Sequence, residues 1–190
     1  MKFGITDDHI PGTQLNREKM GNVTGLEFLH KIFYITNGIM LNQIREISGL
    51  DGSTLQNWVK RGWLPNTKLK KYNIDQLSRI LIINMLRDTM LLERIDFLLK
   101  YINGTLDKKE DDIIPESILY DYICRILDSI SEEDSTSNEE LRAIIEEVTS
   151  DYEERVSGAR RRLCAALEII IFSYYAKLIK GHASELFDKL

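Results

Sequence analysis

LNQIREISGLDGSTLQNWVKRGWLPNTKLKKY, residues 41–72, reads as helix, tight turn, helix and basic loop. Ile44, Ile47 and Leu50 recur at steps of three and share one helical face. Gly49 stops the first helix, because glycine accepts the left-handed conformation a C-terminal cap needs. Asp51-Gly52 makes the turn. Ser53 is the expected cap of a second helix that sends Leu55, Trp58 and Val59 inward, and Gly62 and Pro65 end it. Two short helices joined by a glycine-containing turn form a helix-turn-helix. In that unit the second helix lies in the major groove, with its N-terminal residues nearest the bases.

Working outward, Asn66-Thr67-Lys68 can turn and Leu69-Lys70-Lys71-Tyr72 can return as a short strand, which makes a basic wing. Tyr72, Trp58 and Trp63 are expected to pack as core rather than touch a ligand. Base reading would fall to Ser53, Thr54, Gln56 and Asn57, since amide side chains pair bidentately with adenine. Lys60 and Arg61, one turn later, suit backbone contacts, as do Lys68, Lys70 and Lys71 on the wing. Between residues 41 and 74 six cations face two anions, a local surplus of four on a chain whose net charge is −5. A basic patch on an acidic chain still attracts phosphate over roughly a Debye length, ~8–10 Å. Acidic runs gather between residues 105 and 154 and read as solvated faces.

These residues resemble the winged helix-turn-helix of MerR-type transcription regulators. The matching positions are Gly49-Leu50, Ser53, Thr54, Leu55, Trp58, Gly62, Trp63-Leu64-Pro65, Lys71-Tyr72 and Asp75, over roughly residues 39–103. The pattern departs at Gln56, where the family usually carries an arginine that grips a phosphate. Glutamine can donate a hydrogen bond there but brings no charge. Over nearly its whole length, including IIPESILYDYICRI, the chain also resembles an uncharacterised bacterial family, domain of unknown function 1836. The MerR resemblance implies double-stranded DNA as partner and a dimer formed beyond the DNA-binding unit.

The expected fold is all-α with a small β-wing: a MerR-like winged helix-turn-helix followed by a C-terminal helical bundle. Residues 1–38 form an N-terminal extension, irregular to Val23 and then helical from Gly25 to Phe33. Residues 39–104 hold the helix-turn-helix and two more helices. The first of these is capped by Asp75 and has one buried face of Leu77, Ile80, Leu81, Asn84 and Met85. The second runs from Leu91 to Ile102. Residues 105–190 form a helical dimerisation or effector domain. Pro115 opens a helix at Glu116, and Ser137 or Asn138 caps the next. The chain then stays helical to Ile179 with a break at Thr149-Ser150 or Gly158. Leu163, Leu167, Ile170, Tyr174 and Leu178, widened by Ile171 and Tyr175, form a stripe that suits core or dimer packing. Arg160-Arg161-Arg162 point in three directions and are expected to pair with Asp151, Glu153 or Glu154. The bundle could house an effector pocket, but no residue pattern names a ligand.

Enzyme chemistry has little to stand on. His9, His30 and His182 lie in separate segments, with no metal-ligand spacing to a cysteine and no phosphate-binding glycine loop or nucleophile motif. No cofactor and no metal are expected. Cys124 and Cys164 read as reduced, buried thiols. No apolar run reaches the ~20 residues of a membrane span, so a cytoplasmic protein without a membrane partner is expected. The reading is therefore a dimeric, sequence-specific transcription regulator. Two alternatives stay open: an interaction scaffold that has lost DNA binding, and an excisionase-like architectural DNA binder.

Overall fold

Helix formation dominates the computed structural model of the chain, which describes residues 7–67, 71–106, 112–132 and 137–190. A 3₁₀ turn at Glu18–Met20 precedes α1 (Gly25–Phe33). The order then runs β1 (Ile39–Met40), α2 (Leu41–Ser48), α3 (Gly52–Lys60), β2 (Lys71–Tyr72), α4 (Ile74–Leu86), α5 (Leu92–Asn103), α6 (Glu116–Glu132), α7 (Asn138–Val148) and α8 (Ala159–Phe187). The fold is mostly helical with one small two-stranded sheet.

α4 is the hub. A single buried stripe was expected on it, yet every residue from Leu77 to Leu86 is buried. The reason is geometric: α2, α5, α6 and α8 all pack against it, α6 most extensively. Surrounding it on all sides leaves no solvent face for polar residues. Arg79, Ser78 and Asn84 are therefore buried polar groups and need partners. Ser78 donates its hydroxyl to the Ile74 carbonyl at 2.8 Å. Asn84 Nδ2 donates to the carbonyls of Gly12 and Ser48, each at 2.9 Å, and so ties α2 to the N-terminal segment.

That N-terminal segment is not a loose extension. Ile10 is fully buried, Tyr120 donates its hydroxyl to the Pro11 carbonyl at 2.7 Å, and Tyr174 donates to Asp7 Oδ2 at 2.6 Å. Gly12 lies so close to α4 that a Cβ there would sit 2.4 Å from the Leu81 carbonyl oxygen, at φ +77°. Only glycine fits such an approach. One continuous apolar core runs from Ile10 to Tyr174 through all three sequence segments.

Several boundaries differ from the sequence reading. The cap of α3 is Asp51, not Ser53. The cap of α4 is Asn73, which exchanges hydrogen bonds with Gln76 as a capping box, not Asp75. Asp75 instead accepts from the Ser117 backbone N–H and hydroxyl, at 3.0 and 2.7 Å, and joins α4 to α6. In each case two candidate cap residues stand within two positions, and the residue whose side chain reaches the third following N–H takes the role. Ser137 caps α7 as expected. The break before α8 occupies the whole of residues 149–158. Tyr72 pairs with Ile39 and Lys71 with Met40, antiparallel. The strand after α3 therefore pairs with the strand before α2.

The C-terminal stripe is intramolecular core. Leu163, Leu167 and Ile170 are fully buried and Tyr174 nearly so, within the single chain. That face of α8 packs on α4, α5, α6 and α7, so it is not available as a dimer seam. The Arg160 guanidinium pairs with Glu146 at 3.2 Å, and of the expected acids Glu154 accepts only the Arg160 backbone N–H, at 3.0 Å, while Asp151 pairs with Arg125 at 3.4 Å and accepts from the Tyr122 hydroxyl at 2.8 Å. Both cysteines are free; Cys124 is buried but Cys164 only partly so. Burial pushes the Cys124 thiol up to about 12, which makes it inert as a nucleophile.

Candidate nucleic-acid interface

α2 and α3 meet through a three-residue link, Gly49-Leu50-Asp51, whose conformation follows from its sequence. Gly49 adopts φ +71° and its N–H bonds to the Arg45 carbonyl, closing α2. Leu50 is buried and plugs the corner. Asp51 then opens α3. Its carboxylate accepts the Thr54 N–H at 2.7 Å, the Ser53 hydroxyl at 2.6 Å and the Thr54 hydroxyl at 2.9 Å. The Ser53 hydroxyl first, then the Thr54 N–H and hydroxyl, hold this carboxyl at about 2, below its ordinary 3.8. A full negative charge thus stands at the positive end of α3, where the helix dipole stabilises it.

This cap divides the candidate residues. The hydroxyls of Ser53 and Thr54 are committed to Asp51, so the two are not free donors. Gln56, Asn57 and Lys60 are exposed. They lie three and four positions apart on one helical face, opposite the buried Leu55 and Trp58. Arg61 is held otherwise. Its guanidinium lies 5.1 Å from the centre of the Trp63 ring and 3.6 Å from Glu93 on α5, an exposed pair at the exit of α3. Lys71 is exposed on β2. Lys68 and Lys70, with Leu69 between them, lie outside the described residues. Arg45, one of the six cations of residues 41–74, is exposed on α2. Its Cδ lies 3.9 Å from where a Cβ on Gly52 would stand, beside the start of α3.

α3 is anchored from behind. Trp63 and Leu64 are buried, and the Trp63 N–H returns to the Trp58 carbonyl at 2.9 Å. The Trp63 carbonyl accepts from Arg79 Nε at 2.6 Å. Arg79 is 2% exposed. Its Nη1 bonds Glu116 Oε1 on α6, and Nη2 lies 3.5 Å from Asp96 on α5, an ion pair without a hydrogen bond. Lys100 completes the cluster at 2.6 Å from Asp96. Burial pushes the Glu116 carboxyl up, against the pull of Arg79. This buried network was invisible in the sequence, where Arg79 reads as one polar residue in an apolar helix.

The match to the model described as Domain of unknown function (DUF1836) spans residues 27–123. The chain belongs to the DUF1836 family. The matched DUF1836 segment takes in most of α1, the ladder, α2 to α5 and the first half of α6, together with the Arg79 network. Uncharacterized protein YkrK of Bacillus subtilis (strain 168) is 31% identical over 150 residues, which cover 75% of this chain and 61% of that protein. The chain thus spans about three-fifths of the length of that relative. No solved structure matches.

Elsewhere, an open polar groove of about 730 Å³ lies between residues 7–14 and α8, lined by acids, by Lys177 and Lys180 and by His9 and His182. Among the described residues no group of three or more His, Cys, Asp or Glu is placed to hold a metal, and no helix is long and apolar enough to cross a membrane.

Proposed function

We propose that this DUF1836 protein is a sequence-specific transcription regulator that binds double-stranded DNA through a MerR-like winged helix-turn-helix and acts in the cytoplasm as a dimer. The observation that carries the reading is the exposed face Gln56–Asn57–Lys60 on α3, backed by the buried Leu55 and Trp58. A two-residue amide platform with a cation one turn later suits base edges first and phosphate next. Lys71 on the flanking strand adds a cation beside the helix, as a wing would.

The ladder supports the same reading. β1 and β2 clamp the start of α2 to the segment after α3, so strand and recognition helix would meet the duplex as one unit. Arg79 ties that unit to α5 and α6, a mechanical route by which the bundle could bias the helix.

The test is duplex affinity as a function of salt. Lys60→Ala and Lys71→Ala should each lower affinity about equally for all sequences and flatten the log–log salt slope by roughly 1 per lost phosphate contact. An unchanged slope in both, with folding intact, removes this face from the interface.

A second reading, an interaction scaffold without DNA binding, is favoured by one feature. The Asp51 carboxylate stands where a phosphate would otherwise meet the start of α3, and Gln56 brings no compensating charge. Absence of retention on duplex DNA at low salt would select it.

A further inference from the structure

α8 carries a second apolar face. Ile169, Phe172, Ala176, Ile179, Ala183 and Leu186 recur at steps of three, four, three, four and three. All six are exposed, Ile169 at 46%, Phe172 at 48%, Ile179 at 42% and Leu186 at 53%. The buried stripe of Leu163, Leu167, Ile170 and Tyr174 lies on the opposite side of the helix. A 3-4 spacing over about two and a half heptads is the pattern of a coiled-coil seam, in which each a or d residue fills a hole on a facing helix. Half of this seam lies on the body of the fold. The other half lies on the end of α8 beyond Ile179, where every residue is exposed.

We infer that this face is a self-association seam that pairs α8 with α8 of a second copy of the chain, antiparallel. Two arguments fix the occupant and its direction. The first is size. In an antiparallel register, a positions face d positions. Ile169 then faces Leu186 of the second copy, Phe172 faces Ala183, and Ala176 faces Ile179. Each alanine meets a large residue, so the layers fill at interior density. A parallel register would stack alanine on alanine at two levels and phenylalanine on phenylalanine at another. The second argument is charge. The antiparallel arrangement brings Glu168 to the end of the second copy's α8, where Lys189 follows the last helical residue, Phe187, twice by symmetry. Glu168 is 3.1 Å from Arg142 on its own chain and keeps carboxylate oxygens for a second cation. On the other flank Ser173 faces Lys180, whose Nζ bonds the Asp88 carbonyl at 3.1 Å. The register brings no like charges together.

The protruding end explains why the seam suits a second copy rather than its own body. From Ile169 to Leu186 it extends about 26 Å along the helix. The antiparallel arrangement lays each free end on the body-bound half of the other α8, so both halves are covered at once. This inference deepens the dimer part of the proposed function by naming the surface; it does not depend on DNA binding.

Sedimentation of the full chain without DNA tests it, at high micromolar concentration. The wild type should sediment at twice the chain mass. Ile179→Glu combined with Leu186→Glu, both outside the core, should sediment as a monomer with an unchanged circular dichroism spectrum and thermal melt. Direction is read with the partly exposed thiol removed by Cys164→Ser. Phe172→Cys with Ala183→Cys should give a disulfide-linked dimer under mild oxidation, while either cysteine alone should not. A monomeric wild type, or a dimer that survives both glutamates, overturns the seam. A disulfide formed by Ala183→Cys alone overturns the antiparallel direction. Because no step uses DNA, failure here leaves the DNA-binding reading standing, and failure of the salt-slope test leaves the seam standing.

Discussion

Replacing Arg79 with methionine should be among the most damaging single changes in the chain, for reasons the geometry makes quantitative. The side chain is 2% exposed, and methionine roughly keeps its volume, so little cavity cost enters. What is lost is the donor to the Trp63 carbonyl, the hydrogen-bonded partner of Glu116 and the cation beside Asp96. Asp96 keeps Lys100, but Glu116, 14% exposed, loses its counter-ion. Removing one partner of a buried pair costs about 3–5 kcal/mol. With a urea m-value of ~2 kcal/mol/M, the unfolding midpoint should fall by roughly 1.5–2.5 M with no change in slope. The pH dependence carries a signature. Burial already raises the Glu116 carboxyl above its ordinary 4.5, and losing Arg79 raises it further. A raised carboxyl keeps its proton in the folded state after the unfolded chain has released it. Its contribution is therefore favourable at low pH and lost as pH rises. The deficit of Arg79→Met should shrink as pH falls from neutral toward 4.5. Adding Glu116→Leu should recover most of the loss, since apolar replacements of a whole buried pair are often neutral. A single-variant cost below about 1 kcal/mol, or a double variant no better than the single, would refute the assignment of Arg79 as the tie between α3 and α6.

Other outcomes follow from the site and the core. Gln56→Ala and Asn57→Ala should each relax preference at one or two operator positions by ~1–3 kcal/mol, read by competition between specific and random duplexes; equal loss on both would make these residues backbone contacts. Asp51→Asn keeps a competent cap but removes the charge. The wild type's advantage should be full above pH 3.8 and vanish as pH falls toward 2, because a lowered carboxyl stabilises only while ionised; thermal melts across that range check it, and a difference unchanged down to pH 2 would count against the three hydrogen bonds. Leu167→Ala should cost about 2–5 kcal/mol in urea unfolding, as befits a fully buried side chain; a near-neutral result would return that stripe to the surface.

The helices were legible where a period and a stop coincide. Ile44, Ile47 and Leu50 with Gly49, and Leu55 and Trp58 with Gly62, fix two helices and the corner between them. The caps were less legible, because Asp51 and Ser53, like Asn73 and Asp75, are rival acceptors two residues apart, and only the closed turn decides between them. The pairing of Ile39–Met40 with Lys71–Tyr72 left no trace, since two-residue strands have no alternation to read. The burial of α4 on every side was concealed by Ser78 and Arg79, which mimic a solvent face. α8 posed a different difficulty. It carries two apolar stripes, and the broader one attracted the dimer reading although it is the one its own chain covers. The narrower 3-4 series from Ile169 was equally present in the sequence. Within the candidate site, the helical period placed Gln56, Asn57 and Lys60 on the exposed side of α3 but could not foresee that Asp51 would engage Ser53 and Thr54, or that Arg61 would lie beside Trp63 and Glu93.

The clamp on the N-terminal segment has a consequence for how the chain is made. Asp7 meets the Tyr174 hydroxyl across 167 positions, and Pro11 meets Tyr120 across 109. Synthesis at about 5–20 residues per second separates the first of these partners by roughly 8–33 s. Ile10 and its neighbours can meet α4 and α6 as these emerge, but the side of α4 that α8 covers stays open until the end of that interval. The native state can close only after the middle of α8 has left the ribosome, and from the completion of α4 until then the nascent chain keeps one side of its central helix open to whatever holds unfinished apolar surface.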